Sequence, residues 1–181
     1  MKRIVLALTL LLGTSSVASA QFAPSTENLR GLTGVRLMVM LGRYPHRLDE
    51  AQRPEVLKMV EADTTAKLQE AGIPLFGLAD KRNDEKAGNP RLVITVTMDE
   101  GISSMPVTTE VKLLQEVRLS RDPSIETDAV TWSTEGGVGG LPTLRDSRIR
   151  EQVGTEIEKF IRDYFSVNPK QSANSTKQKS K

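Results

Sequence analysis

From Val35 to Leu41 the chain is apolar at every position except Arg36. A run so short and so uniformly apolar predicts a strand covered on both faces. A loop over 42–53 then leads to Pro54, whose ring suits the first turn of a helix. Leu57, Val60, Thr64, Leu68 and Ala71 recur at spacings of three and four, and Gly72 supplies a left-handed stop, so an amphipathic helix is predicted there. Residues 73–77 are brief and contain Pro74, which predicts an edge strand. Alternation follows. Leu92, Ile94, Val96 and Met98 interleave with Val93, Thr95 and Thr97; further on, Thr109, Val111, Leu113, Gln115, Val117 and Leu119 interleave with Glu110, Lys112, Leu114, Glu116 and Arg118. Period two with one dry and one wet face predicts half-buried strands.

Asp122-Pro123 predicts a turn, 129–133 a further strand, and 135–140 a glycine-rich link to the last helix. That helix opens with Thr143 and Asp146 in a capping-box relation and carries Ile149, Val153, Ile157, Phe160, Ile161 and Tyr164 on one stripe. Gly154 interrupts it at a propensity cost of about 1 kcal/mol unless close packing requires the glycine. Asn168-Pro169 ends it. The order strand, helix, edge strand, three-strand meander, helix predicts an α+β fold. Its architecture is a two-layer sandwich, a mostly antiparallel sheet of four or five strands with both helices on one face.

The ends of the chain change the setting rather than the fold. Lys2 and Arg3, an apolar run over 4–12 and Ala18-Ser19-Ala20 form the charged, apolar and cleavable parts of a secretory signal peptide over 1–20. Its core is too short to span a bilayer, and no later stretch approaches the roughly 20 apolar residues of a membrane helix. The mature protein is expected to start at Gln21, in a periplasm or outside the cell, with a flexible leader over 21–28, one domain over 29–169 and no membrane anchor. Residues 170–181 are Lys, Ser, Gln, Asn and Thr with one Ala173, a composition that predicts disorder. The absence of cysteine leaves the domain to be held by packing alone, with no site for a lipid anchor.

Charge removes one class of partner. Residues 21–169 hold 19 basic and 23 acidic side chains, net −4, so the basic footprint of a nucleic-acid binder is missing.

Catalytic patterns are weak throughout. Gly136, Gly137, Gly139 and Gly140 precede a helix, but no lysine and hydroxyl follow, and Glu135 would repel a phosphate. His46 with Asp49 and Glu50 offers no second histidine or cysteine for a metal. Ser133 and Ser147 would both have to recruit that one histidine, without a nucleophile elbow. The acids Asp99 and Glu100, and Asp80, Asp84 and Glu85, sit in polar turns where solvation is the plain reading. No catalytic residue, metal or cofactor is predicted. Three residues are candidates for binding: Trp132, an aromatic of the type that anchors interfaces, Gln115, a polar group in the dry register, and Arg121.

Leu29-Arg30-Gly31-Leu32 with Gly34-Val35, Leu68 with Ala71-Gly72-Ile73, Gln115-Glu116-Val117 with Arg121, Thr131-Trp132-Ser133, and Phe160-Ile161 with Tyr164 and Val167-Asn168-Pro169 form an ordered pattern. In it the chain resembles a family of exported bacterial proteins that carries no assigned activity, so the resemblance transfers no site residue. The layout is also similar, more remotely, to small α+β domains of envelope-assembly factors, such as the N-terminal domain of the Tol-system propeller protein. The expectation is a non-enzymatic envelope protein that docks another exported protein through its sheet face or edge. The alternative is a module for a small ligand or cell-wall fragment with a pocket near Trp132. A hydrolase is the third reading, and no residue nominates it.

Overall fold

The computed structural model describes residues 25–44, 52–77, 88–99, 105–141 and 146–169. The expected signal peptide, the 170–181 tail, His46 with its neighbouring acids, the Asp80 to Glu85 cluster, Glu100 and Thr143 lie outside those residues. The described chain is α+β: β1 (Arg36–Leu41), α1 (Arg53–Ala71), β2 (Arg91–Met98), β3 (Met105–Leu119), β4 (Asp122–Leu141) and α2 (Asp146–Val167). A turn of 3₁₀ helix over Thr26–Leu29 precedes them, so the later part of the predicted leader is structured; residues 21–24 lie outside the description.

The four strands run β1-β2-β3-β4 across one mixed sheet. β1 and β2 are parallel, with Arg36 beside Arg91 and Leu41 beside Val96, and the crossover between them carries α1. β2 pairs antiparallel with β3, and β3 with β4. Strict alternation in β2 buries Leu92, Ile94, Val96 and Met98 on the face shared with Val107, Thr109, Val111 and Leu113 of β3. Onto that face α1 brings Val56, Val60, Thr64 and Leu68, and α2 brings Ile149, Val153, Ile157 and Phe160. Their apolar side chains belong to one continuous core. Pro54 lies in the first turn of α1, and Gly72 ends it at φ 83°, its N–H bonding back to the last turn.

Four expectations about the strands are corrected. β1 is covered on one face only: Met38 and Met40 are 40% and 46% exposed, because both helices lie on the other side and an unbroken apolar run does not reveal which face is open. Residues 73–77 form a single parallel bridge, Val35 with Leu75, rather than a strand. The turn expected at Asp122-Pro123 falls at Ser120 and Arg121 instead, and 135–140 is no link but part of β4, which runs unbroken from Asp122 to Leu141. Proline is tolerated there because β4 lies at the edge of the sheet. On α1 the buried stripe contains Val56 where Leu57 was expected; Leu57 is half-buried.

Candidate functional site

β4 is the strand that meets the buried acid of α2. Trp132, Thr134 and Gly136 alternate onto its helix side, and α2 lowers one acidic side chain onto each end of that row. Asp163 accepts from Trp132 Nε1 at 3.2 Å, and Glu156 accepts from Thr134 Oγ1 at 2.6 Å. Glu156 is 1% exposed. Gln152 Nε2 donates to its Oε1 at 3.2 Å, and Lys159 Nζ donates to both of its oxygens at 2.8 and 2.9 Å. Every partner is a donor, so both carboxylate oxygens are satisfied. Helical spacing carried the signal for this residue: Glu156 stands three positions after Val153 and four before Phe160, on the buried stripe. A metal-binding group of three or more acids or histidines does not occur among the described residues.

The predicted binding residues are not assembled into one site. Trp132 is 1% exposed and meets Phe160 edge to face, with ring centroids 5.2 Å apart, so the indole is core and unavailable as a pocket wall in this conformation. Gln115 is half-buried and accepts from Thr131 Oγ1 at 2.6 Å. That contact sits at a bulge, where Leu113 pairs with Trp132 but Leu114 with Val130, leaving Thr131 as the extra residue. Arg121 is exposed at the tip of the β3–β4 hairpin, well separated along the strand.

Several residues of that ordered pattern form one clamp. Asn168 Oδ1 accepts from the Gly31 N–H at 2.7 Å, and its Nδ2 donates to the carbonyls of Leu29 at 2.6 Å and Tyr164 at 3.1 Å. Tyr164 donates its hydroxyl to the Leu32 carbonyl at 2.8 Å, and burial pushes the phenol pKa up. Asn28 Nδ2 reaches the Thr131 carbonyl at 2.7 Å. Gly31 turns at φ 79°, a left-handed conformation that favours glycine. The start of the domain is thereby bonded to the end of α2 and to the bulge of β4.

A cleft and a sheet face among the described residues are open to a partner. Between α1 and α2 lies a cleft of about 460 Å³ floored by Val60, Val153 and Ile157. The Asp63–Arg150 pair, 3.1 Å apart, bridges the two helices at its rim. Gly154 lines it, and a Cβ there would stand 3.3 Å from Lys67 Cε, so Lys67 packs over the glycine. The second surface is the sheet face away from the helices. Register places Met38 beside Val93, Met40 beside Thr95, and Leu114 beside both Arg91 and Val130. Met40, Met38, Val93, Leu114 and Val130 therefore form a diagonal apolar stripe from β1 to β4. Val130 is 51% exposed. Charged pairs flank the stripe, Lys112 with Glu110 at 2.6 Å, Arg118 with Glu126 at 2.7 Å, and Arg91 with Asp128.

No helix of the described residues is long and apolar enough to cross a membrane. No family model matches the sequence, and no curated protein matches it. Among solved structures the chain is similar to a PelC dodecamer from Paraburkholderia phytofirmans, at 17% identity and a TM-score of 0.39, over 73% of this chain and 90% of that one. So distant a likeness carries no argument about what this chain does.

Proposed function

We propose that the protein is an exported, non-enzymatic module of the cell envelope that docks another exported protein through its sheet. The observation that carries the reading is the helix-free face. Met38, Met40 and Val130 are large apolar side chains left in solvent on one side of a sheet whose other side is fully used by the core. Exposed methionines adapt to a partner's shape, and a diagonal apolar stripe rimmed by ion pairs has the layout of an interface core and rim. The expected export fits the same reading, because that setting offers no nucleotide pool.

Substituting Met38→Lys and Met40→Lys tests it. Both positions are solvent-facing, so the fold is expected to keep its thermal midpoint while a partner retained by the wild-type chain from its own envelope is lost. Retention of that partner by the double variant would refute docking through this face.

A further inference from the structure

We infer that β4 accepts an extended segment of the partner protein as a fifth strand, and that this segment alternates basic with apolar residues. The inference rests on the docking role proposed above and specifies its geometry. Among the described residues β4 pairs with β3 alone, so its other edge carries no strand. The Asn28 side chain meets it at one carbonyl, that of Thr131. An open edge of this length is a template for another chain, and proteins usually guard such edges with lysine. Across its 20 residues β4 contains Asp122, Glu126, Asp128 and Glu135 and neither lysine nor arginine.

That charge pattern selects between occupants. A second copy of β4 would set acids against acids across the new ladder, which destabilises it. A basic strand meets complementary charge. Glu126 is bridged by Arg118 through Oε1 and Asp128 by Arg91 through Oδ1, which leaves the second oxygen of each carboxylate for an incoming cation.

The faces of the strand define the alternation. Below the bulge, Glu126 and Asp128 pair with Arg118 and Glu116 on the side away from the helices, while Thr127 and Ala129 pair with Val117 and Gln115 on the other. Ile125, two residues before Thr127, is 43% exposed. A strand laid along 124–130 therefore places its basic residues beside the carboxylates and its apolar residues beside Ile125 and Ala129. Neighbouring chain supports only the base of this region: the Glu116 N–H donates to the Gly88 carbonyl at 2.7 Å, and Asn89 Nδ2 donates to Glu116 Oε1 at 2.9 Å. Among the described residues β3 and β4 continue beyond Glu116 as a two-stranded ribbon, and such a ribbon is marginally stable in water without a third strand.

The experiment titrates the isotope-labelled chain with a capped (Lys-Val)₄ peptide and follows amide exchange. Saturable binding is expected, with new protection at alternate amides of 124–130. The Glu126→Gln, Asp128→Asn double variant, checked for an unchanged thermal midpoint, is expected to bind about tenfold more weakly, the scale of two exposed ion pairs. Equal binding of a (Glu-Val)₄ peptide, protection confined to other strands, or undiminished binding by the double variant would each overturn the inference. If envelope crosslinks from Met40 persist while the peptide fails, the edge assignment falls and docking through the face stands. If both fail, the docking role falls with it.

Discussion

Gly136 lies directly beneath the carboxylate of Glu156: a Cβ on that glycine would stand 2.9 Å from the Glu156 Cδ and closer still to its Oε1 and to Gln152 Nε2. The missing side chain makes the space in which a buried acid can be held by Thr134, Gln152 and Lys159. Gly136→Ala is therefore expected to destabilise the fold by about 1–3 kcal/mol, the range of an overpacked interior. Gly139, where a Cβ meets nothing within 4 Å, serves as the control, and its alanine variant is expected to be near neutral. Urea denaturation of the two variants separates them. Equal midpoints would show that the carboxylate moves aside at no cost.

Glu156 itself is expected to be structural. Glu156→Ala leaves the Thr134 hydroxyl and the Gln152 amide without their acceptor, and a loss of about 1–3 kcal/mol follows from such orphaned groups. A stable Glu156→Ala protein that no longer retains the partner proposed above would instead assign the residue to function.

Two buried hydroxyls, Thr64 Oγ1 and Thr109 Oγ1, have no hydrogen-bond partner among the described residues. Removing a buried polar group that gains nothing in the fold relieves its desolvation cost, so Thr64→Val and Thr109→Val are each expected to raise stability by about 1 kcal/mol. Thermal or urea midpoints check this, and a fall on substitution would reveal a partner such as an internal water.

The Tyr164 hydroxyl gives the clamp a signature in alkali. Burial raises its pKa above the ordinary value of 10.0, so the neutral phenol is favoured in the folded state. The stability this contributes is complete below the unfolded pKa and is lost as pH rises through the folded one. The wild-type protein should therefore lose more stability than Tyr164→Phe between neutral pH and the alkaline range above 10. Parallel pH profiles for the two would contradict the burial.

Trp132 is the sole tryptophan, so emission reports on one site. With 1% of the residue exposed, a blue-shifted spectrum that iodide quenches poorly is expected. A water-like spectrum would mean that the indole leaves the core and could meet a ligand.

The periodic parts of the fold are legible in the sequence because burial imposes the period. Leu92 to Met98 alternate, and Ile149 to Tyr164 recur at helical spacing, as the core requires. β4 is legible only in its middle, since Pro123 and the glycines after Glu135 read as breakers when taken one at a time. What overrides them is long-range: pairing with β3, an edge position that tolerates proline, and a carboxylate on α2 that needs a glycine opposite. The openness of Met38 and Met40 is likewise hidden, because it depends on which side of the sheet the helices take. Among the candidate binding residues, Trp132 and Gln115 are of types that serve a core or an interface equally, and both are engaged in internal contacts. The Asn168 clamp is visible as a pattern of residues but not as a set of bonds, since its members are separated by over a hundred positions.

The central claim is that the sheet, away from the helices, meets another exported protein. Photocrosslinking residues placed singly at Met40 and Val130, with Glu61 on the exposed side of α1 as the control, test it in the protein's own envelope. The prediction is one defined adduct from Met40 and Val130, abolished by Met38→Lys, and none from Glu61. Adducts of equal yield and identity from all three positions, or none from the sheet, would contradict it.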